Sequence, residues 1–440
     1  MKLRPRVGLA VIRHPLEEGG EKAPQILAES TEALRAAGVE VIEAPCFVED
    51  DSSSVLAGRH FYDQRVPAIV VAVATWSADS NLLDMLEECD VPIVTWALPG
   101  MNTGSMCGCQ QFCCVLKELG RPYRFVFGPT SEQEVTARIF AYVRAVNLAA
   151  ALRRARMGLV GYRVPGMTEV AFDELELKRV LGPRTVHYGL DTIETRMRAV
   201  PEADALAAWK ERLGHVKKVS VTEADIVDSM RGYLALRHFA ENDGLSGMAI
   251  ECYPHLMGRL CLACSLLADE GIVVGCEADM NSTVAMLILT HLTGQPVHNT
   301  DGLGVDMAEG SIVYSHCGNG SITLAESLDK VEIAHVRLMH RGTCVLFPSK
   351  PGPVTLVNLV GRRGTYRMGV AFGEAVPTGM VFAGNPIKVV LSGGVKNHIE
   401  VIAREGLGHH WMIGYGDVRQ QLQELCDVLR VPYIHCDEPG

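Results

Sequence analysis

The sequence predicts an α/β protein in which two parallel-sheet domains are followed by a β-rich C-terminal domain. Three observations lead to this prediction. Strand-like and helix-like stretches alternate through the first third of the chain, and the alternation restarts near residue 157. Beyond residue 300, short β-prone runs follow one another, with glycine and proline between most of them. Alternating strands and helices form βαβ units, whereas consecutive short strands form antiparallel sheets or barrels.

The first predicted domain, residues 1–156, begins with an apolar strand over 7–12. A helix over 23–37 ends at Gly38, and the continuous apolar run 68–74 is typical of a strand buried on both faces of a parallel sheet. The other predicted elements are strands over 39–44 and 92–96, a helix over 82–89 and a long helix over 132–156.

The second predicted domain, residues 157–295, begins with a strand over 157–162 that runs into a turn at Pro165. A helix over 281–293 ends at Gly294, as helices commonly end at glycine. Further strands are predicted over 185–188, 247–251 and 271–276. Both of the first two domains are therefore expected to be Rossmann-like.

In the third predicted domain, residues 296–440, short β-prone runs follow one another without helix-like stretches between most of them. Its β-prone runs are 311–316, 331–339, 343–347, 354–359, 365–371 and 387–391. A helix over 417–428 and a strand over 433–435 follow them. This pattern predicts an antiparallel sheet or barrel.

The composition limits the classes of protein. A chain of 440 residues with 48% hydrophobic and 21% charged residues is typical of a globular protein of about three domains. A formal charge of −11 argues against binding to nucleic acid or to anionic membranes. No apolar run reaches the roughly 18 residues of a membrane helix, and the N-terminus has no secretory pattern. We therefore expect a cytoplasmic protein without nucleic-acid or membrane partners.

Several motifs are better explained by packing than by chemistry. The 14 cysteines are expected to be reduced and packed, because the chain is large and shows no export signal. Cys261 and Cys264 stand one helical turn apart without a second pair, which favours two packed cysteines on a helix. The four cysteines over 107–114 fit no common iron–sulfur spacing and are expected to lie on a packed helix. No glycine-rich phosphate loop follows the first strand, which ends at Arg13, so a dinucleotide-dependent oxidoreductase is disfavoured.

Two acidic side chains are candidates for a functional site. Glu277 ends a predicted parallel strand, at the edge where α/β sheets bind ligands. Asp301 follows 24 residues later, after the intervening helix has returned the chain. Both carboxylates could therefore face one cleft, although Asp301 could instead be a loop acid in water. Asp279, two residues after Glu277, could equally be the N-cap of that helix.

Histidines supply the other candidates. His316 ends a β-prone run before a glycine-rich turn. The pair His409-His410 comes shortly before a second glycine-rich segment, Gly414-Tyr415-Gly416. Adjacent side chains on a strand point to opposite faces, so one histidine of the pair is expected to enter a site while its neighbour packs. A structural role is the alternative for each. Two carboxylates with one or two histidines suit Mn²⁺, Co²⁺ or Fe²⁺, whereas zinc more often takes cysteine or three histidines.

These motifs together resemble the L-fucose isomerase and L-arabinose isomerase superfamily over most of the chain. In chain order, the resemblance is carried by Cys276-Glu277-Ala278-Asp279, by Asp301 and by His409-His410. It implies an aldose–ketose isomerase that acts on a free sugar, a deoxyhexose or a pentose, through a cis-enediol. Mn²⁺ is the implied metal, with Co²⁺ or Fe²⁺ as alternatives.

The resemblance also implies roles for single residues. Glu277 and Asp301 would be the acid/base pair and, with His410, the metal ligands; His316 stands where the arabinose isomerases have a further ligand histidine. The family forms trimers or hexamers in which N-terminal residues reach a neighbour's site. Arg13 and Trp76 are the candidates for binding sugar, each with a structural role as the alternative.

Two other functional classes stay open at this stage. One is a sugar-binding protein that keeps the scaffold without catalysis, since a fold does not determine a function. The other is a metal-dependent hydrolase or lyase that uses the same ligands. An isomerase leaves the mass of its substrate unchanged, whereas a hydrolase or lyase splits it.

Overall fold

The computed structural model describes residues 4–100 and 104–437, apart from the side chain of Arg362. The described part of the chain divides into two compact units, residues 4–151 and residues 152–437. The predicted α/β class is confirmed: two sheets are parallel, and the C-terminal region is rich in β-structure. The predicted division into domains 1–156, 157–295 and 296–440 stays a prediction.

The N-terminal unit has one parallel sheet at its centre. Its strands are β1 (Arg6–Ile12), β2 (Glu40–Glu43), β3 (Ile69–Val73), β4 (Ile93–Ala97) and β5 (Tyr123–Phe127). They pair in the order β2-β1-β3-β4-β5. The helices of this part of the chain are α1 (Ala23–Ala36), α2 (Asp51–Asp63), α3 (Asp79–Glu88), α4 (Ser105–Glu118) and α5 (Gln133–Arg154). Every residue of β3 and β4 is buried, as expected for apolar strands covered on both faces.

Two elements of this unit are missing from the sequence prediction. Helix α2 has a weak apolar pattern, and its start is set by Asp50, whose side chain accepts a hydrogen bond from the Ser53 amide at 2.8 Å. Strand β5 lies at the sheet edge and is mostly only partly buried. Neither element has the continuous apolar run or the clear apolar periodicity from which the other elements are predicted.

Helix α5 meets the length and composition criteria for crossing a membrane. In the structure, 72% of its most apolar stretch is buried inside the protein. The core helix of a globular protein meets the same criteria, so this single helix is weak evidence for a membrane segment.

The C-terminal unit begins with a second parallel sheet. The strands of this region are β6 (Arg156–Val160), β7 (Arg184–Tyr188), β8 (Lys218–Val219), β9 (Gly247–Ile250) and β10 (Val273–Gly275). Four of them form the sheet in the order β10-β9-β6-β7. The helices are α6 (Glu174–Glu176), α7 (Leu190–Ala199), α8 (Glu202–Leu213), α9 (Glu223–Asp243), α10 (Cys261–Asp269) and α11 (Met280–Thr293).

The rest of the unit contains a closed antiparallel barrel. Its strands are β11 (His298–Asp306), β12 (Ser311–Ser315), β13 (Glu332–Val336), β14 (Arg341–Leu346), β15 (Gly352–Arg362), β16 (Thr365–Val376), β17 (Ile387–Leu391), β18 (His410–Tyr415) and β19 (Tyr433–His435), with helices α12 (Val395–Glu405) and α13 (Arg419–Leu429). Six strands pair in the order β15-β18-β11-β12-β17-β16, and β15 also pairs with β16. The ring is therefore closed. β19 joins β16 in parallel, and β13, β14 and β8 form a small separate sheet.

One hydrophobic core joins the parallel sheet, its helices and the barrel. Met230 and Leu236 of α9 belong to it, as do Leu356 of β15 and Ile413 of β18. Because interiors are close-packed, this shared core holds β10 and β18 in a defined relation to each other.

The cysteines are unbridged, as predicted, but not all of them are packed. All 14 are free thiols, and Cys261 and Cys264 are both buried on α10. The cluster over 107–114 lies on α4, where Cys109 is buried but Cys107 and Cys114 are exposed. The expectation that this whole cluster packs was wrong, because only one face of α4 is covered.

His398 on α12 is a buried histidine, and burial favours its neutral form. Its Nδ1 lies 3.3 Å from the carbonyl oxygen of Cys436, and its Nε2 lies 3.1 Å from the Tyr314 hydroxyl. A carbonyl oxygen can only accept, so Nδ1–H donates to it and Nε2 accepts from the hydroxyl. Burial lowers the pKa of His398 to about 4.

We therefore expect the free energy of unfolding to fall between pH 7 and pH 5. The unfolded histidine binds a proton near pH 6.5, whereas the folded one resists until about pH 4. The stabilisation is thus complete above pH 6.5 and is lost as the pH falls towards 4. His398 should account for about 2 kcal/mol of the loss. Urea unfolding at both pH values measures it, and the variant His398→Gln should lose about 2 kcal/mol less than the natural protein. Equal losses in the two proteins would contradict this assignment.

Candidate active site

The register of the barrel brings three of the predicted residues together. Asp301 of β11 stands directly opposite His410 of β18 and directly opposite Ser315 of β12. His316 follows Ser315, at the end of its strand. Three neighbouring strands therefore carry one carboxylate and two imidazoles to the same end of the barrel.

Glu277 reaches this cluster from the end of β10 in the parallel sheet. Glu277 and Ala278 both adopt left-handed backbone conformations, with φ of 64° and 55°. Residues with a Cβ rarely adopt this conformation unless the surroundings demand it, and such positions concentrate at functional sites. The turn is held by hydrogen bonds from the Cys276 amide to Asn299 Oδ1 and from the Ala278 amide to the Ile250 carbonyl, at 3.2 and 2.8 Å.

The side chains of the cluster form two overlapping groups, each close enough to share one ion. His410 Nε2 lies 2.9 Å from Glu277 Oε2 and 3.8 Å from Asp301 Oδ1. His316 Nε2 lies 3.8 Å from Asp301 Oδ2. Ligand atoms of Glu277, His316 and His410 lie within 4.8 Å of one another, and the same holds for Asp301, His409 and His410.

The carboxylates and histidines of the cluster shift one another's pKa values. Burial opposes the charge on Glu277, but contacts with His409 and His410 hold the pKa of this carboxyl well below its usual range. Burial also opposes a charge on His410, yet Asp279 and Glu277 raise the pKa of its imidazole to about 10. For His316 burial dominates, and its pKa is lowered.

Two buried polar atoms in the cluster have no hydrogen-bond partner among the described residues. They are Asp301 Oδ1 and His316 Nδ1. Unpaired buried polar atoms are costly, and they usually mark a place for water, an ion or a ligand. Two carboxylates and two imidazoles form a donor set suited to a borderline divalent cation. The residues present therefore fit the metal that the resemblance implies.

Asp279 both caps a helix and contacts the cluster, the two roles that the sequence left open for it. Its side chain caps α11 by accepting hydrogen bonds from the amide and hydroxyl of Ser282, at 3.0 and 2.6 Å. It also accepts a hydrogen bond from His410 Nδ1 at 2.8 Å. A carboxylate that accepts a hydrogen bond from a histidine sets the orientation of the ring, so Asp279 positions His410.

The prediction that the neighbouring histidines diverge was wrong. Strand β18 begins at His410, so His409 precedes it and strand alternation does not apply. The two rings lie side by side with their centroids 3.9 Å apart, and both face the carboxylates.

Glu169 is a further residue at the cluster, and the sequence analysis missed it. It lies 2.8 Å from His409 Nδ1, while His409 Nε2 lies 3.9 Å from Glu277. The contact with Glu277 raises the pKa of His409. Glu169 follows β6 on a 3-10 turn at Thr168–Val170, and a lone acid in such a turn has no motif by which the sequence could reveal it.

The two predicted sugar-binding residues lie in the N-terminal unit. Arg13 follows β1, where its side chain pairs with Glu49 at 2.7 Å and donates to the Gly20 carbonyl oxygen. Trp76 follows β3, and its indole N–H donates to Gln111 at 2.8 Å. Their roles towards a sugar stay predictions.

Comparison with known proteins relates the chain to sugar isomerases. It is 24% identical over 381 residues to a sulfoquinovose isomerase from Alkalicoccus urumqiensis, covering 84% of this chain and 86% of the relative. It is 23% identical over 422 residues to one from Priestia aryabhattai, covering 92% and 95%. A third, from Clostridium sp. (strain MSTE9), is 26% identical over 362 residues, covering 77% and 79%. These relatives support a sugar isomerase.

Other comparisons add little. No protein-family model matches the chain. A periplasmic solute-binding protein from Actinobacillus succinogenes with bound D-allose is 13% identical and covers 66% of this chain and 92% of its own, with a TM-score of 0.19. That score is too low to indicate a shared fold.

Proposed function

We propose that the chain is a metal-dependent aldose–ketose isomerase that converts a free sugar through a cis-enediol. The observation that carries the proposal is that Glu277, Asp301, His316 and His410 lie in two overlapping groups of possible ligands that share His410, with unpaired atoms on Asp301 and His316. The similarity to curated sugar isomerases over most of the chain supports the same reaction.

Glu277, Asp301, His316 and His410 would hold the metal, with Mn²⁺ as the first choice and Co²⁺ or Fe²⁺ as alternatives. When bound, the metal supplies Lewis acidity that polarises the sugar carbonyl. Asp279 contributes by fixing the ring of His410 through its hydrogen bond to Nδ1.

Glu277 and Asp301 are the proposed acid/base pair. One carboxylate takes the proton from C2 of the aldose and returns it to C1, and the other transfers the hydroxyl proton from O2 to O1. The two side chains differ in exposure, 12% for Glu277 against 32% for Asp301, and Glu277 alone has a short hydrogen bond to a histidine. Different surroundings allow two carboxylates to take different roles in proton transfer.

The substrate is proposed to be a free deoxyhexose or pentose. Because the curated relatives are sulfoquinovose isomerases, the first sugar to test is sulfoquinovose, a 6-deoxyhexose with a sulfonate group on C6. Arg13 and Trp76 are proposed to contact the sugar in a homo-oligomer, a trimer or a hexamer, and the cytoplasm is the proposed location.

We expect the isomerisation to require the metal. Protein treated with chelator should catalyse no exchange of substrate hydrogen for deuterium in D₂O, and Mn²⁺ should restore the exchange at C1 and C2. NMR of a panel of aldoses that includes sulfoquinovose would follow the label, and mass spectrometry would show whether the sugar stays whole. Metal binding without exchange on any sugar would point to a non-catalytic binder, and cleavage of the substrate would point to a hydrolase or lyase.

A further inference from the structure

Arg337 is an exposed cation in the turn between β13 and β14. Within residues 4–100 and 104–437, no carboxylate forms an ion pair with its guanidinium. Arg259 of the same unit, in contrast, is paired with both Asp228 and Glu194. A guanidinium without a counter-ion presents its N–H groups to an anion from outside.

The aromatic ring of Phe382 holds this guanidinium in place. The guanidinium carbon of Arg337 lies 4.5 Å from the ring centroid, in a cation–π contact. Phe382 is half-buried on the segment between β16 and β17. The contact restricts an otherwise flexible side chain and so reduces the entropy lost when it binds a ligand.

The segment that carries Phe382 lies directly against the backbone of the cluster. A methyl group on Gly384 would stand 2.1 Å from the His316 carbonyl oxygen and 3.2 Å from Cδ1 of Phe382. The amide of Asn385 donates to Ser315 Oγ at 3.1 Å. Phe382 and the backbone of His316 are therefore near neighbours. Arg337 lies over the ring of Phe382.

We propose that Arg337 binds an anionic substituent of the sugar, a sulfonate, while the cluster of Glu277, Asp301, His316 and His410 holds the reacting end. This inference rests on the proposed function and names the substrate class within it. The cluster and the nearby Asp279 and Glu169 are rich in carboxylates, which repel a sulfonate. A planar guanidinium offers paired N–H groups to two of its oxygens.

The test compares two sugars that differ only in the anionic group, sulfoquinovose and 6-deoxyglucose. In Arg337→Gln, KM for sulfoquinovose should rise about 10- to 100-fold, while kcat/KM for 6-deoxyglucose stays unchanged. Arg337→Lys should recover part of the loss, because it keeps the charge but not the fork of donors. Arg404→Gln, an exposed arginine on α12, is the matched control and should change neither value.

Direct binding of sulfoquinovose, measured by calorimetry, separates this inference from the proposed function. If no sugar exchanges deuterium but sulfoquinovose still binds and Arg337→Gln weakens it, the isomerase proposal fails and the anion site stands. If both sugars isomerise and Arg337→Gln affects them equally or not at all, the anion site is wrong and the isomerase stands. Absence of sulfoquinovose binding would also overturn it.

Discussion

Replacing Glu277 by Gln is expected to lower kcat for sugar isomerisation by about 10²- to 10⁴-fold. The amide cannot take or return a proton at working pH, and it removes one charged ligand from the donor set. The side chain is 12% exposed and keeps its size in the variant, so the site should keep its shape. The left-handed backbone at this position is the same strain for Glu and Gln.

The rate of deuterium exchange in D₂O with saturating Mn²⁺ measures this loss. Glu326→Gln is the matched control, since Glu326 is a partly exposed carboxylate that pairs with Lys330 on the surface. The control should keep the natural rate, and both variants should unfold near the natural temperature. Turnover in Glu277→Gln within a few-fold of the natural protein would remove Glu277 from the acid/base pair.

Replacing Asp279 by Asn is expected to weaken metal affinity about 10- to 100-fold with little loss of stability. Asn is as good an N-cap as Asp, so the hydrogen bond from the Ser282 amide can be kept. The carboxylate that accepts the hydrogen bond from His410 Nδ1 is lost, so the ring is no longer held towards Glu277.

Competition with a chelator of known affinity measures metal binding without depending on turnover. Ser282→Ala is the control that separates the two roles of Asp279, because it removes one partner of the cap and leaves the contact with His410. It should lower the free energy of unfolding slightly and leave metal affinity unchanged. If Asp279→Asn and Ser282→Ala weakened metal binding alike, Asp279 would act through the helix and not through His410.

The parallel strands could be predicted because their signal is local. β3 and β4 are continuous apolar runs, as strands buried on both faces must be, and they lie within a residue or so of the predicted ranges. β11 escaped the prediction because its buried residues are the polar His298, Asn299 and Thr300. Their partners come from elsewhere in the chain: the Thr300 hydroxyl donates to the Trp411 carbonyl oxygen, and Asn299 accepts from Cys276.

By itself, then, the sequence determined the α/β class and most of the strands, and it offered Glu277, Asp301, His316 and the pair His409-His410 as candidate site residues, from which the family resemblance selects His410. These follow from apolar runs, strand ends and short motifs, whose physical causes lie within a few residues of one another. Only the tertiary structure decided that the barrel closes through β15 and β16, and that His409 turns to the same side as His410. It alone brought Glu169 to His409, Asp279 to His410 and Arg337 to Phe382. These contacts join residues between 45 and 240 positions apart, and long-range packing, which no local pattern encodes, sets their geometry.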